Sequence, residues 1–247
     1  MSQEEQHNLE EQVISAAVEM GLSTQLDSAE NLNVDVQTNL LEIVQGQAHS
    51  VSVSGQGLVV QKDIRVQEME IQTDKIAINP LSVLFGEIKL SEPTDVSARI
   101  ALSEDDLNRA LNSDYVRRQM QGFKLDVDGQ AVIMEIQKMS IKLPDVNTIV
   151  FNGSTTLQEG KNSRLLDFQA VIHPGNIFEP LFVEAFQCHP SPGISLQFAV
   201  ALMEKFKELV FSPYFAVNGT AVRVRKMELE KGQLTIYTTA KITEIPS

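Results

Sequence analysis

Residues 125–136 have the sequence LDVDGQAVIMEI, in which Asp128-Gly129 lies between the alternating run Leu125-Asp126-Val127 and the largely apolar run 131–136, which ends in alternation at Met134-Glu135-Ile136. Alternation with a period of two gives a strand one buried face and one face in water, as in an antiparallel sheet. The Asp-Gly pair readily adopts the positive φ angles of a two-residue hairpin turn. This stretch therefore predicts two antiparallel strands joined by a tight turn.

The same pattern recurs along most of the chain. Further turn signals beside alternating runs are Asn152-Gly153, Asn218-Gly219 and Lys231-Gly232. More alternating runs lie at 33–36, 50–54, 75–78, 87–90 and 95–102. Short alternating runs separated by turn residues are typical of a meander. We therefore expect antiparallel strands to form the main part of the fold.

Three segments have helical spacing instead. Residues 4–20 form an amphipathic pattern, Ser103 can cap a helix that ends near Gly122, and a third helix begins near Ser195 and ends at Pro213. The region 173–193 holds four of the nine prolines and is interpreted as a long connection. The pattern predicts an α+β fold: an acidic amphipathic helix over 1–24, followed by a single domain over 25–247.

The negative charge is concentrated at the N-terminal end of this chain of 247 residues, whose net charge is −13. Residues 1–61 contain nine acidic residues and no Lys or Arg. Phosphate binding needs clustered Lys and Arg, so we expect no nucleic-acid binding there, and anionic lipid surfaces are disfavoured. The acidic segment is interpreted as a solvated face, with docking of a basic partner as the alternative.

The sequence offers no pattern for catalysis, metal binding or cofactor binding. Cys188 and His189 are adjacent rather than spaced as metal ligands, and the consecutive acids at 104–106 point in different directions on a helix. A P-loop, a nucleophile elbow and a dinucleotide fingerprint are all missing. We therefore predict a protein that is not an enzyme, with no catalytic residue, no metal and no cofactor.

The location follows from similar arguments. The apolar stretches are far shorter than the roughly 20 residues that span a bilayer, and MSQEEQHNLEEQ at the N-terminus does not resemble a secretory signal. The single cysteine fits a reducing compartment. These features predict a cytoplasmic protein, with peripheral association at a membrane left open.

Phenylalanine is concentrated in the second half of the chain. Ten of the eleven phenylalanines follow position 120, and seven of them lie between residues 178 and 215. They could form the aromatic part of an ordinary core. They could equally line an apolar pocket for a lipid-like ligand, since such pockets are lined by aliphatic and aromatic side chains.

Several stretches are similar to one known family. They are QGLVVQKDIRV at 56–66, IAINPL at 76–81, PTDVSA at 93–98 and DLNRALNS at 106–113, together with the closing helix and hairpin over 203–236. They resemble the LmeA-type phospholipid-binding family, in particular its cyanobacterial branch. The resemblance implies a long curved antiparallel sheet with amphipathic helices packed on one face, similar to tubular lipid-binding domains.

The resemblance also implies a function. We expect a soluble protein that binds a phospholipid or similar amphiphile without catalysis, holds its acyl chains in an apolar groove between sheet and helices, and contacts a membrane surface transiently. The candidate lining residues come from the two later helices and are Leu107, Leu111, Met203, Phe206 and Leu209. The alternative is a structural or protein-interaction module with a filled core and an acidic docking face.

Overall fold

The computed structural model of the chain describes most of the strands and parts of the helices. The described residues are 12, 15–16, 18–20, 22–23, 26–38, 42, 47–60, 64–77, 89–119, 122–127, 129–159, 162–176, 178, 181–190, 196–210, 214–217 and 220–244. Every structural statement below concerns these residues. The helix predicted over 1–24 lies largely outside them, and its described positions have helical backbone.

Strands account for most of the described chain. They are β1 (Asn31–Gln37), β2 (Gln47–Ala48), β3 (Ser50–Val60), β4 (Ile64–Thr73), β5 (Ile76–Ala77), β6 (Lys89–Ser103), β7 (Phe123–Val127), β8 (Gln130–Lys142), β9 (Ile149–Glu159), β10 (Asn162–Pro174), β11 (Leu181–Pro190), β12 (Tyr214–Val217), β13 (Thr220–Glu230) and β14 (Gln233–Glu244). The helices are α1 (Glu104–Leu111), α2 (Asp114–Gln119) and α3 (Leu196–Val210). The antiparallel sheet is confirmed, but the fold is richer in strand than the α+β prediction.

The backbone groups into two structural units. The first contains Met1–Ala101, Tyr214–Arg225 and Ile236–Ser247, and the second contains Leu102–Pro213 and Lys226–Thr235. The division predicted from the sequence, at residue 25, stays a prediction.

Most of the first unit is a seven-stranded sheet with the strand order β1-β3-β4-β6-β14-β13-β12, beside the small pair β2-β5. Its strands alternate as the sequence predicts. In β1, Val34 and Val36 are buried while Asp35 between them is exposed. Asp35 pairs with Ser52 of β3, and Val34 pairs with Val53, so polar and apolar residues occupy opposite faces.

The second unit contains a five-stranded sheet with the order β11-β10-β9-β8-β7. Its strands pair antiparallel with their neighbours in sequence, which is the predicted meander. Helix α3 packs against β7 and β11, and helix α1 packs against β8.

The predicted turns have mixed outcomes. The turn between β7 and β8 is confirmed, since Val127 pairs with Gln130 and Gly129 has φ 80°, and Gly232 has φ 79° in the turn between β13 and β14. The turn at Asn218-Gly219 lies outside the described residues. The prediction of a turn at Asn152-Gly153 is wrong, because both residues lie inside β9.

The long connection predicted over 173–193 is also wrong in part, because β10 extends to Pro174 and β11 occupies Leu181–Pro190. Alternation in β11 is interrupted by a register shift opposite Val171/Ile172 of β10, which hides the strand pattern in the sequence.

The helix starts follow local chemistry. The Ser103 hydroxyl accepts a hydrogen bond from the backbone N–H of Asp106 (3.1 Å) and donates to the Asp106 carboxylate (2.6 Å), which fixes the first turn of α1. The Ser113 hydroxyl accepts from the N–H of Val116 (3.2 Å), so the predicted second helix is two helices with a cap between them. In the described part of the chain, we find no helix with the length and hydropathy to cross a membrane.

Candidate functional site

The inner face of the five-stranded sheet is strongly apolar. Each strand contributes alternate buried side chains, among them Leu125, Val132, Met134, Met139, Phe151, Leu157, Leu166, Phe168, Ala170, Ile172 and Val183. Helix α3 adds Phe198, Leu202 and Phe206, which recur every four residues and are all buried. This spacing gives α3 one apolar stripe.

Four phenylalanine rings form a cluster where α3 meets this face. The Phe206 ring centroid lies 5.2 Å from Phe151, 6.1 Å from Phe168 and 5.8 Å from Phe186. Such tilted and edge-on contacts contribute beyond the area that the rings bury. Of the phenylalanines at 178–215, Phe186 and Phe206 therefore supply core contacts in this unit, whereas Phe178 and Phe182 are exposed.

Gly153 is what allows this cluster to form. It pairs with Phe168 on β10, and a Cβ atom built on Gly153 would lie only 2.3 Å from Cζ of Phe168. The ring therefore occupies the space that any other side chain on Gly153 would need. A glycine inside a strand commonly marks such a close approach.

The packing beside the cluster leaves an apolar cavity of about 230 Å³. Its wall is made by β8, β9, β10, β11 and α3 with one residue each from β13 and β14, all in the second unit. The lining residues are Met134, Ile136, Met139, Ile141, Ile149, Phe151, Phe168, Ile172, Leu181, Leu202, Lys205, Phe206, Met227 and Leu234. Lys205 is the one charged residue among these described side chains.

The volume limits what the cavity can hold. It is larger than an engineered cavity of about 150 Å³ that binds benzene. It is smaller than the roughly 300–1,000 Å³ of pockets that enclose a whole drug-sized ligand. The cavity has room for a segment of a hydrocarbon chain, and the remainder of an amphiphile would have to lie outside it.

A ladder of helix side chains holds the cavity wall at the edge of β8. Strand β7 pairs only with residues 130–134 of β8, so the backbone beyond needs other partners. The side chain of Asn108 accepts from the N–H of Ile141 and donates to its carbonyl, both at 2.8 Å. Asn112 donates to the carbonyl of Met139 (3.0 Å), and the Glu104 carboxylate accepts from the N–H of Leu143 (2.7 Å).

The ladder explains part of the family-like sequence DLNRALNS. Glu104 and Asn108 of α1 and Asn112 at its C-terminal cap are spaced by four residues, and they meet alternate residues at the end of β8, at 143, 141 and 139. These side chains satisfy a strand edge in the way that a neighbouring strand would. Their role is to fix the strand from which Met139 and Ile141 line the cavity.

The structure places the sequence-predicted lining residues differently. Phe206 lines the cavity, whereas Met203 is half-buried on the same helix and does not belong to the lining. Leu107 and Leu111 are half-buried on α1 and are not among the residues that line this cavity, so their part in lipid binding stays a prediction. The backbone of Leu209 is in α3, but its side chain lies outside the described residues.

Sequence reasoning missed the strand residues that form most of the wall. Alternation in a strand can indicate which side chains face inward, but it cannot indicate where inward-facing side chains leave space between them. The register shift between Ile136 and Lys138 also breaks the alternation. The signal that was available is the cluster of methionine and isoleucine at 133–141.

Cys188 is a titratable group on β11 of this sheet. Burial raises the pKa of the Cys188 thiol, which disfavours the nucleophilic thiolate. Within the described residues, no group of three or more His, Cys, Asp or Glu is placed to hold a metal ion. What this geometry offers is an apolar space with a single cation.

Comparison with known proteins gives one match. A family model described as LmeA-like phospholipid-binding matches residues 6–239, which is nearly the whole chain. No curated protein and no solved structure matches the chain.

Proposed function

Since the chain belongs to the LmeA-like phospholipid-binding family, we propose that its second unit holds a segment of a phospholipid acyl chain in the apolar cavity between the five-stranded sheet and α3. The supporting observation is the cavity itself, about 230 Å³ with an apolar lining. A fully packed core is the usual state of a protein interior. The space left beside four phenylalanine rings is therefore the feature that most favours a ligand.

The energetics support partial insertion of a chain. Transfer of a methylene group from water to an apolar site contributes about 0.8 kcal/mol, so about five groups would contribute about 4 kcal/mol. That alone corresponds to a dissociation constant of about 1 mM. A lipid held in this way would exchange readily, and tighter binding requires contacts with the part outside the cavity.

The same lining argues for binding rather than catalysis. General acid–base chemistry needs a positioned titratable group for each proton that moves. Among the described lining residues the only titratable side chain is Lys205. Lys205 has an aliphatic stem that can cover apolar surface while its ammonium group reaches water.

The setting of this function is also part of the proposal. Phospholipid would enter and leave during transient contact with a membrane surface. We propose the cytoplasm as the location, because the single cysteine stays reduced there. A protein-interaction module with a filled core is less favoured, because the core of the second unit retains a cavity.

The experiment places a larger side chain in the cavity from β8. The control is the same substitution on the opposite face of β8. Ile141 is half-buried and lines the cavity, whereas Ile133 on the same strand is 38% exposed. Ile141→Trp and Ile133→Trp are therefore the same substitution on the two faces of β8. After incubation with phosphatidylcholine–phosphatidylglycerol vesicles, native mass spectrometry measures the bound phospholipid.

Wild type and Ile133→Trp should carry phospholipid. Ile141→Trp should carry about tenfold less, because losing contact with about two methylene groups is worth about that factor. Thermal unfolding of both variants checks that they remain folded. Equal loading of the two folded variants would contradict the proposal.

A further inference from the structure

A second depression lies directly against the apolar cavity. It has a volume of about 400 Å³ and is lined by Asp114, Arg117, Arg118 and Ile136. Ile136 also lines the apolar cavity, so the two spaces share this residue. One space is apolar and the other carries two guanidinium groups, so the two spaces match the apolar and the polar part of an amphiphile.

The backbone of β8 changes at the shared wall. Its register against β9 shifts between Ile136 and Lys138, which leaves Gln137 as an extra residue. A bulge of this kind bends the strand and redirects nearby side chains. The carbonyl of Gln137 accepts a long hydrogen bond from Nη2 of Arg117 (3.5 Å), so the bulge also contacts α2 beside the depression.

The two arginines are held but still exposed. Nε of Arg118 donates to the backbone carbonyl of Asp114 (3.0 Å), which sets the direction of its side chain. Each guanidinium has five N–H donors, so one such bond leaves several donors for a ligand in the depression. The described lining has two cations and one anion, a positive patch on a chain whose net charge is −13.

We propose that Arg117 and Arg118 bind the phosphate group of the phospholipid whose acyl segment occupies the adjoining cavity. This inference rests on the proposed function. Arginine presents a planar fork that matches phosphate oxygens in pairs. A chain that passes Ile136 leaves its phosphate in the arginine-lined depression, where it adds the affinity that the small cavity cannot supply.

The test separates phosphate recognition from acyl-chain binding. The variant is Arg117→Gln/Arg118→Gln, and the control Arg109→Gln/Lys142→Gln removes two exposed cations that line neither space. The probes are phosphatidylglycerol and a diacylglycerol with the same acyl chains, each measured by native mass spectrometry. Glycerol phosphate serves as a soluble source of the phosphate group.

The arginine variant should bind phosphatidylglycerol about tenfold more weakly, because exposed charge-assisted hydrogen bonds are lost. Its binding of diacylglycerol should change by less than about twofold, and the control should bind both like wild type. Arg117→Lys/Arg118→Lys keeps the charge without the fork and should fall between wild type and the glutamine variant. Thermal unfolding verifies that the variants are folded.

Other outcomes have distinct meanings. Wild type that binds neither probe overturns the proposed function itself. If the wild type binds both lipids, and the arginine variant binds neither more weakly or binds both more weakly by the same factor, only the assignment of the phosphate to the arginines is overturned. Glycerol phosphate that binds the arginines equally well whether or not lipid is present would assign them to a soluble phosphate and overturn the lipid assignment.

Discussion

Asn108→Ala tests whether the side-chain ladder on β8 has the energetic role that its geometry indicates. The Asn108 side chain makes three hydrogen bonds of 2.8 Å, donating to the carbonyls of Glu104 and Ile141 and accepting from the N–H of Ile141. Alanine leaves both backbone groups of Ile141 without these bonds. The substitution therefore unpairs a strand edge that no neighbouring described strand covers.

The expected loss in the free energy of unfolding follows from the hydrogen bonds that Asn108→Ala removes. Each bond is worth about 1 kcal/mol net, and an unsatisfied buried group costs about 1–3 kcal/mol. Asn108 is half-buried, so water can replace part of the loss. Alanine also gains about 0.5 kcal/mol of helix propensity. We expect Asn108→Ala to lower the free energy of unfolding by about 2 kcal/mol.

Asn112→Ala provides a matched control one helical turn away. Asn112 is exposed and donates to the carbonyls of Asn108 (2.8 Å) and Met139 (3.0 Å). With water available to replace these bonds, its removal should cost only about 0.5 kcal/mol. Urea unfolding measures both variants, and hydrogen exchange of the Ile141 amide reports the strand edge directly.

Two results would refute the reasoning. One is an Asn108→Ala variant that loses less than about 0.5 kcal/mol and keeps the Ile141 amide protected. The other is an equal loss in the two variants. If Asn108 holds the strand edge at Ile141, the Asn108→Ala variant should also bind less phospholipid, because Ile141 lines the cavity.

Three further predictions concern the second unit. Nε2 of His173 lies 2.5 Å from Oε2 of Glu184, and this hydrogen bond raises the pKa of His173. The stability that the bond supplies is full below the unfolded pKa of about 6.5 and is lost as the pH rises through the raised pKa. His173→Gln should therefore flatten that part of a pH series of melting temperatures. Cys188 should react with a maleimide at least about tenfold more slowly in the native protein than in urea, since burial raises its pKa and shields it; equal rates would show an accessible thiol. Gly153→Ala should cost about 1–3 kcal/mol in urea unfolding, because the new methyl group meets the Phe168 ring, and a neutral substitution would disprove that contact.

Much of the fold could be predicted because its signals are local. The Asp-Gly turn before β8, the Ser103 cap of α1 and the end of α3 before Pro213 each depend on a few neighbouring residues. Alternation gave the polar and apolar faces of strands such as β1 for the same reason.

The errors arose where distant contacts decide the structure. Asn152-Gly153 has the composition of a turn, yet Phe168 on another strand requires a glycine at 153 inside β9. In β11 the bulge disrupts the alternation that would have identified a strand. In both cases the local preference yields to tertiary packing.

The candidate site could be predicted only in part. The helix stripe identified Phe206, but a stripe that packs into a core and one that lines a cavity have the same spacing. The wall also depends on β8, whose position is set by the ladder from Glu104, Asn108 and Asn112. That ladder is visible in the sequence as polar residues spaced by four, although their partners are not.

Photocrosslinking measures most directly whether a phospholipid acyl segment occupies the cavity beneath α3. Phosphatidylglycerol with a diazirine on its acyl chain is loaded from vesicles onto the wild-type protein, irradiated, and the labelled peptides are identified by mass spectrometry. We predict labels on β8, β9 and α3, and fewer labels in Ile141→Trp. Labels confined to the strands of the first unit, or a pattern unchanged by Ile141→Trp, would contradict this placement of the acyl segment.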